Sequence, residues 1–206
     1  MTSIVEGTGK LDVPRETSRR LEEYAELLKL ENKQQNLIAA STLDQLWSRH
    51  ILDSAQLLRF APASAKWVDV GSGAGLPGIV LAILGVQSIT MVEPRRLRAE
   101  FLARCVNQLA LTNASVWAGK SDSFSGQADV LTARAVASLD KLLAMTHHLS
   151  HPGTVWVLPK GRSGQMELEE AQHSWQGRFR VEPSITQGDA VIIVASEVQP
   201  RRKGRG

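Results

Sequence analysis

Cysteine is nearly absent from this chain of 206 residues: Cys105 stands alone. One thiol closes no internal disulfide and supplies no cysteine cluster for a metal, which excludes a disulfide-stapled scaffold and a thiolate metal site. Aromatic residues make up only 5% of the chain. Long apolar runs are missing too. The longest, Ile79 to Val86, has Gly85 inside it and is far too short to span a bilayer. Between Met1 and Asp12 no basic segment precedes an apolar one, so no secretory signal is expected. The expectation is a cytoplasmic domain without membrane contact. Charge of one sign is not in large excess either, since 24 basic against 21 acidic residues leave +3. That balance permits a polyanionic partner without demanding one. Hydrophobic residues at 43% and charged residues at 22% exclude wholesale disorder.

The length suits one domain, with a change of texture inside it. Residues 1–62 read as a helical N-terminal cap, 63–198 as the core and 199–206 as a basic, disordered tail. In the cap, Leu21, Tyr24, Ala25 and Leu28 recur at helical spacing within a helix expected from Glu16 to about Gln34. A second helical stretch follows Ser41 and Thr42, and a third passes through Ile51, Leu52, Ala55 and Leu58 until Pro62. Beyond Pro62, short apolar strands alternate with helices. Strands are expected at Lys66–Val70, Ile89–Glu93, Val116–Ala118, Asp129–Thr132, Thr154–Leu158 and Ala190–Val194. Strands apolar on both faces argue a Rossmann-like α/β sheet, mostly parallel, with ligands at one edge and an antiparallel last strand. No element is assigned between Gly164 and Gly188.

The chemistry concentrates after the first of these strands. Gly73-x-Gly75-x-x-Gly78 stands between a strand and a helix that begins at Leu76, and Glu93 closes the next strand twenty residues beyond Gly73. Glycines let the backbone turn tightly and approach a ligand, and an acid at the second strand end can accept ribose hydroxyls. Both NAD and S-adenosylmethionine satisfy that description. Asp69 distinguishes them, because a carboxylate beside an anionic pyrophosphate costs free energy, whereas S-adenosylmethionine brings an ammonium and a sulfonium. Asp69 would equally serve to cap the glycine turn. The acid-x-Gly-x-Gly-x-Gly pattern from Asp69 to Gly75 resembles the first motif of class I methyltransferases.

Larger blocks of sequence carry a closer resemblance. Asn36-Leu37-Ile38-Ala39, Arg49-His50-Ile51-Leu52-Asp53-Ser54, the stretch Asp69 to Gly78, Ala133-Arg134-Ala135 and Leu158-Pro159-Lys160-Gly161 occur in consistent order. Together they resemble the ribosomal RNA small subunit methyltransferase G family, also called glucose-inhibited division protein B. The resemblance implies methyl transfer from S-adenosylmethionine to N7 of one guanine in small-subunit (16S) ribosomal RNA. It also implies cofactor contacts at Gly71, Leu76, the pair Ser121 and Asp122, and Arg134, beside Asp69, Gly73, Gly75 and Glu93 read from the loop. The chain departs from the family pattern at Glu31, where a tryptophan is common, and at Asp122, where glutamate is more frequent.

Arg134 is the one candidate for shaping the reactive face, with a structural pairing to a carboxylate as its alternative. Arg49, His50, Lys160, Arg201, Arg202 and Lys203 are candidates for contact with ribosomal RNA, free or within an assembled small subunit. His147, His148 and His151 are expected to end a helix and not to bind a metal. Cys105 is expected to be buried, and the five tryptophans to lie mostly in the core, with Trp47 open to an RNA-facing role. Two other functions fit the glycine loop alone: an NAD-dependent oxidoreductase, and a non-catalytic RNA-binding module.

Overall fold

The computed structural model describes residues 3–5 and 10–201. A short antiparallel hairpin, β1 (Ser3–Val5) with β2 (Lys10–Asp12), precedes helix α1 (Arg15–Gln35). The N-terminal section is therefore not wholly helical. Residues 40–59 also depart from the expected helices. They form a 3₁₀ segment (Ala40–Gln45), a π-helical turn (Trp47–Ile51), one α-turn, α2 (Leu52–Ala55), and a further 3₁₀ segment (Gln56–Arg59). Here Asp53 and Gln56 bond the loop before β9 and His50 bonds Arg134, contacts that compete with regular winding, and π turns are found frequently at functional sites.

The remaining elements alternate. β3 (Lys66–Val70), α3 (Gly78–Ile83), β4 (Ser88–Glu93), α4 (Arg96–Gln108) and β5 (Ala114–Ala118) come first. Then follow β6 (Val130–Thr132), α5 (Leu139–Thr146), β7 (Val155–Lys160), α6 (Gly164–Ala171), β8 (Trp175–Pro183) and β9 (Val191–Pro200). Seven strands make one sheet in the order β5-β4-β3-β6-β7-β9-β8. Strands β3 to β7 pair in parallel, while β9 lies antiparallel between β7 and β8. This is the expected Rossmann-like sheet with its last strand reversed. The strand order turns back between β3 and β6, which opens a crevice at the carboxyl ends of those strands.

Side-chain alternation explains why the sheet is covered twice. Trp67, Ile89 and Met91 face α1, α3 and α4, whereas Val68, Val70, Val92 and Leu131 face the layer of α5 and α6. Burying each such side chain contributes about 1.5–3 kcal/mol. Trp67, Trp156 and Trp175 are buried, with indole N–H groups donating to Pro62 O, Thr146 Oγ1 and Asp140 Oδ1. Trp47 is half-buried against the cap, and Trp117 is 41% exposed on the edge strand β5, tilted against Phe124. Cys105 is buried as expected, and burial pushes its thiol up to about 12.

Most strand boundaries shift, and three further departures stand out. The helix after the glycine loop starts at Gly78, with Pro77 ahead of it, instead of at Leu76. The open region 164–188 holds α6 and β8. β8 is an edge strand in which Trp175, Phe179 and Val181 pack towards the core while Gln176, Arg178 and Arg180 are exposed. The tail also begins later than 199, because β9 extends through Pro200. Arg201 is then tied back, its backbone N–H to Ser174 O at 2.7 Å and its Nε to Gln172 O at 2.7 Å. Arg202 and Lys203 lie outside the described residues.

Candidate active site

The glycine loop connects β3 to α3 with Gly71, Gly73 and Gly75 all at positive φ. A Cβ at Gly75 would stand 2.5 Å from Ile79 Cγ1, and one at Gly71 would stand 2.6 Å from Val136 Cγ2. At Gly73 nothing lies closer than 3.7 Å, so this glycine keeps a space clear that a side chain would enter. Glu93, at the end of β4, closes the loop from the side: Oε2 accepts the Gly73 N–H at 2.8 Å and Oε1 the Arg95 N–H at 2.9 Å. Each oxygen retains acceptor capacity beyond that single bond. Tyr24 of α1 donates its buried hydroxyl to Ala74 O at 2.8 Å, so the cap reaches the same loop.

Asp69 lies beneath this loop with 0% of its surface exposed. Oδ2 accepts the Gly78 N–H at 3.0 Å, which fastens the start of α3, while Oδ1 has no hydrogen-bond partner. Burial pushes the carboxyl up to about 7, against the bonds and the Arg134 charge that favour its ionised form. One oxygen thus caps the start of α3, and the other is unspent. Leu76 is buried in the core under the loop. Ser121 is buried beyond β5, its carbonyl accepting from His148 Nε2, and Asp122 beside it is exposed. The amide of Gly119 bonds Glu93 O at 3.1 Å and brings this segment to the glycine loop.

The second half of the site is a cavity of about 470 Å³ at the ends of β6 and β7. Such a volume is ordinary for a small-molecule site. Leu37, His50, Asp53, Arg134, Ala135 and Gln187 are among the residues lining it. Arg134 NH1 donates to Asp53 Oδ2 at 3.3 Å and NH2 to His50 Nδ1 at 3.1 Å. Since Nδ1 accepts, the ring proton sits on Nε2, which donates to Thr42 Oγ1 at 2.9 Å. Burial, then the Arg134 and Arg49 charges, lower His50 to about 4, so it is neutral near pH 7. Asp53 Oδ1 accepts from Gln56 Nε2 at 2.8 Å and Thr186 Oγ1 at 2.7 Å. Val136, packed on Gly71, joins this cavity's loop to the glycine loop.

The candidate residues divide accordingly. Asp69, Gly71, Gly73, Gly75 and Glu93 come together, while Arg134 stands with His50 at the neighbouring cavity, paired to a carboxylate as its structural alternative required. Lys160 Nζ donates to Ala137 O and Glu167 Oε2, both at 2.8 Å. Arg49 donates to Gln187 Oε1 at 3.2 Å. Tyr24, Asp53, Gln56 and Gln187 received no role from the sequence. Asp53 stood inside a recognised block, but its partners Thr186 and Gln56 gave no motif to read.

Residues 17–191 match the family model described as rRNA small subunit methyltransferase G. The chain is 47% identical over 198 residues to the ribosomal RNA small subunit methyltransferase G of Rhizorhabdus wittichii, covering 94% of this chain and 91% of that one. It is 42% identical over 206 residues to the protein of the same name from Zymomonas mobilis, covering 95% and 93%. Among solved structures, a mutant of MtNAS in complex with S-adenosylmethionine superposes with a TM-score of 0.59 at 18% identity, covering 88% and 76%. At that identity the likeness is one of fold.

Proposed function

The chain belongs to the rRNA small subunit methyltransferase G family, and from that premise we propose that it methylates N7 of a guanine in small-subunit ribosomal RNA. In this reading S-adenosylmethionine is the methyl donor, held by Asp69, Gly71, Gly73, Gly75, Glu93 and the Ser121–Asp122 segment. When bound, it supplies a methyl group on a positively charged sulfur. The acceptor base occupies the cavity beside Arg134. A cytoplasmic setting follows from an RNA substrate, and among the described residues no helix is long and apolar enough to cross a membrane.

The observation that carries the cofactor assignment is the buried Asp69 with one unpartnered oxygen. A cation brought near such a group favours its ionised form, whereas a pyrophosphate opposes it, which argues against the NAD reading. Guanine N7 has a free lone pair at neutral pH, so no proton must leave before transfer. The side chains suit that economy. His50 is neutral with both ring nitrogens engaged, and the Asp53 carboxylate accepts three side-chain hydrogen bonds. Neither is poised as a general base. The protein's contribution is alignment and exclusion of water, with Arg134 held flat by two partners at the edge of the cavity.

The test is transfer of labelled methyl from S-adenosylmethionine to small-subunit ribosomal RNA, naked and assembled, followed by nucleoside analysis. The expected product is 7-methylguanosine. A different methylated nucleoside, or RNA binding without transfer, would overturn the proposal.

A further inference from the structure

The loop between β8 and β9 walls the acceptor cavity, and its side-chain bonds fix one donor with nothing to donate to. Gln56, fully buried, accepts the Ile185 N–H at 3.0 Å and reaches Ser184 Oγ at 3.1 Å. Thr186 Oγ1 donates to Asp53, and within the loop the Ala190 N–H bonds Gln187 O at 3.1 Å. The backbone on both sides of Gln187 is thereby held. Its side chain is oriented as well. Arg49 can only donate, so the carboxamide atom facing it at 3.2 Å is the oxygen. The carboxamide NH2 is left without a protein acceptor among the described residues, on a side chain that lines the cavity.

We propose that Gln187 is a specificity-determining residue, its NH2 donating to O6 of the purine whose N7 is methylated. This rests on the reaction proposed above. In a purine the atom next to N7 on the same edge is an acceptor in guanine (O6) and a donor group in adenine (N6). A fixed donor there bonds guanine and meets adenine donor to donor. N7 itself stays uncovered, as an atom about to receive a methyl group must. Lys160 is bonded to Ala137 O and Glu167, and His50 to Arg134 and Thr42.

The experiment compares wild type, Gln187→Glu and Gln187→Ala on two RNAs, one with guanine at the acceptor position and one with 2-aminopurine, which keeps N7 but lacks O6. Gln187→Glu preserves size and the contact with Arg49, replaces the donor by an acceptor and adds a negative charge. Its kcat/KM on guanine RNA is expected to fall roughly tenfold or more. On 2-aminopurine RNA the ratio of wild type to variant should contract towards one. Gln187→Ala, without added charge, should show the same dependence on the base and decides the matter if the glutamate variant does not fold. Wild-type kcat/KM in a folded variant, or equal losses on both RNAs, would overturn the inference and leave Gln187 a loop strut. If wild type forms no 7-methylguanosine, the proposed reaction falls and this inference with it. If it does and the variants are indifferent to O6, only the inference falls.

Discussion

The two halves of the site are built by opposite means. The proposed cofactor half lies mostly within one segment, Asp69 to Glu93, and works through backbone: three glycines at positive φ and two carboxyl groups that hold the amides of Gly73, Gly78 and Arg95. The acceptor half is assembled from side chains far apart in the chain. Arg49 bonds a residue 138 positions away, Asp53 one 133 away and Arg134 one 81 away. Backbone geometry tolerates little substitution but needs few residues. A side-chain lattice can be altered one member at a time, and each change should move binding of one ligand and spare the other.

The largest effect expected from this contrast is at Gly75. Alanine there meets both the left-handed φ of 90° and Ile79 at 2.5 Å. Strain and overpacking together should cost about 3 kcal/mol, read by urea unfolding, with loss of S-adenosylmethionine binding in calorimetry. A loss below about 1 kcal/mol would mean that the loop yields, and the contrast would fail.

Next in size is Asp53→Ala, which strands the guanidinium of Arg134 and the hydroxyl of Thr186. Because the pair is only partly buried, about 2 kcal/mol is expected. RNA methylation should drop while cofactor affinity stays within a few-fold. Equal losses in both would show the halves to be one lattice. Tyr24→Phe removes a single buried hydrogen bond to Ala74 O and should cost about 1 kcal/mol, with cofactor affinity weakened more than RNA affinity.

The most subtle test uses pH. Asp69, raised to about 7, binds a proton in the folded state that the unfolded chain releases near 4, so its contribution to stability falls as pH rises across that window. His50, lowered to about 4, does the reverse: the unfolded chain binds the extra proton up to about 6.5, so stability rises with pH. Between about pH 4 and 6.5 the two slopes oppose each other. Asp69→Asn removes one of them, and urea melts of that variant should gain stability with pH where wild type changes less. Parallel profiles for the two proteins would show that the slopes do not divide between the halves in this way.

The same division explains what the sequence disclosed. The cofactor half was legible because its signals are local: glycine spacing, a strand-end acid, an acid at the next strand end. Parallel strands buried on both faces were legible as apolar runs, Lys66–Val70 to the residue. Residues 40–59 were misread as regular helix because the bonds that reshape them come from Arg134 and from the β8–β9 loop, which helical periodicity does not register. β8 does alternate, with Trp175, Phe179 and Val181 inward and Arg178 and Arg180 outward, but Gly177 and the register shift between Gln176 and Arg178 interrupt it. Gln187 had no signature at all, since its meaning depends on Arg49 standing across from it.

The wall of the acceptor cavity also sets an order of events during synthesis. Chain emerging from the ribosome completes β3, the glycine loop, α3 and β4 by Glu93, and local contacts among them can form early. Arg49, Asp53 and Gln56 are made before any of these, yet their partners at Ser184 to Gln187 come last. Until then Asp53 and His50 have Arg134 as their partner, but the contacts to the last loop are missing. The bonds that complete the wall of that cavity therefore form only once the final hairpin is in place.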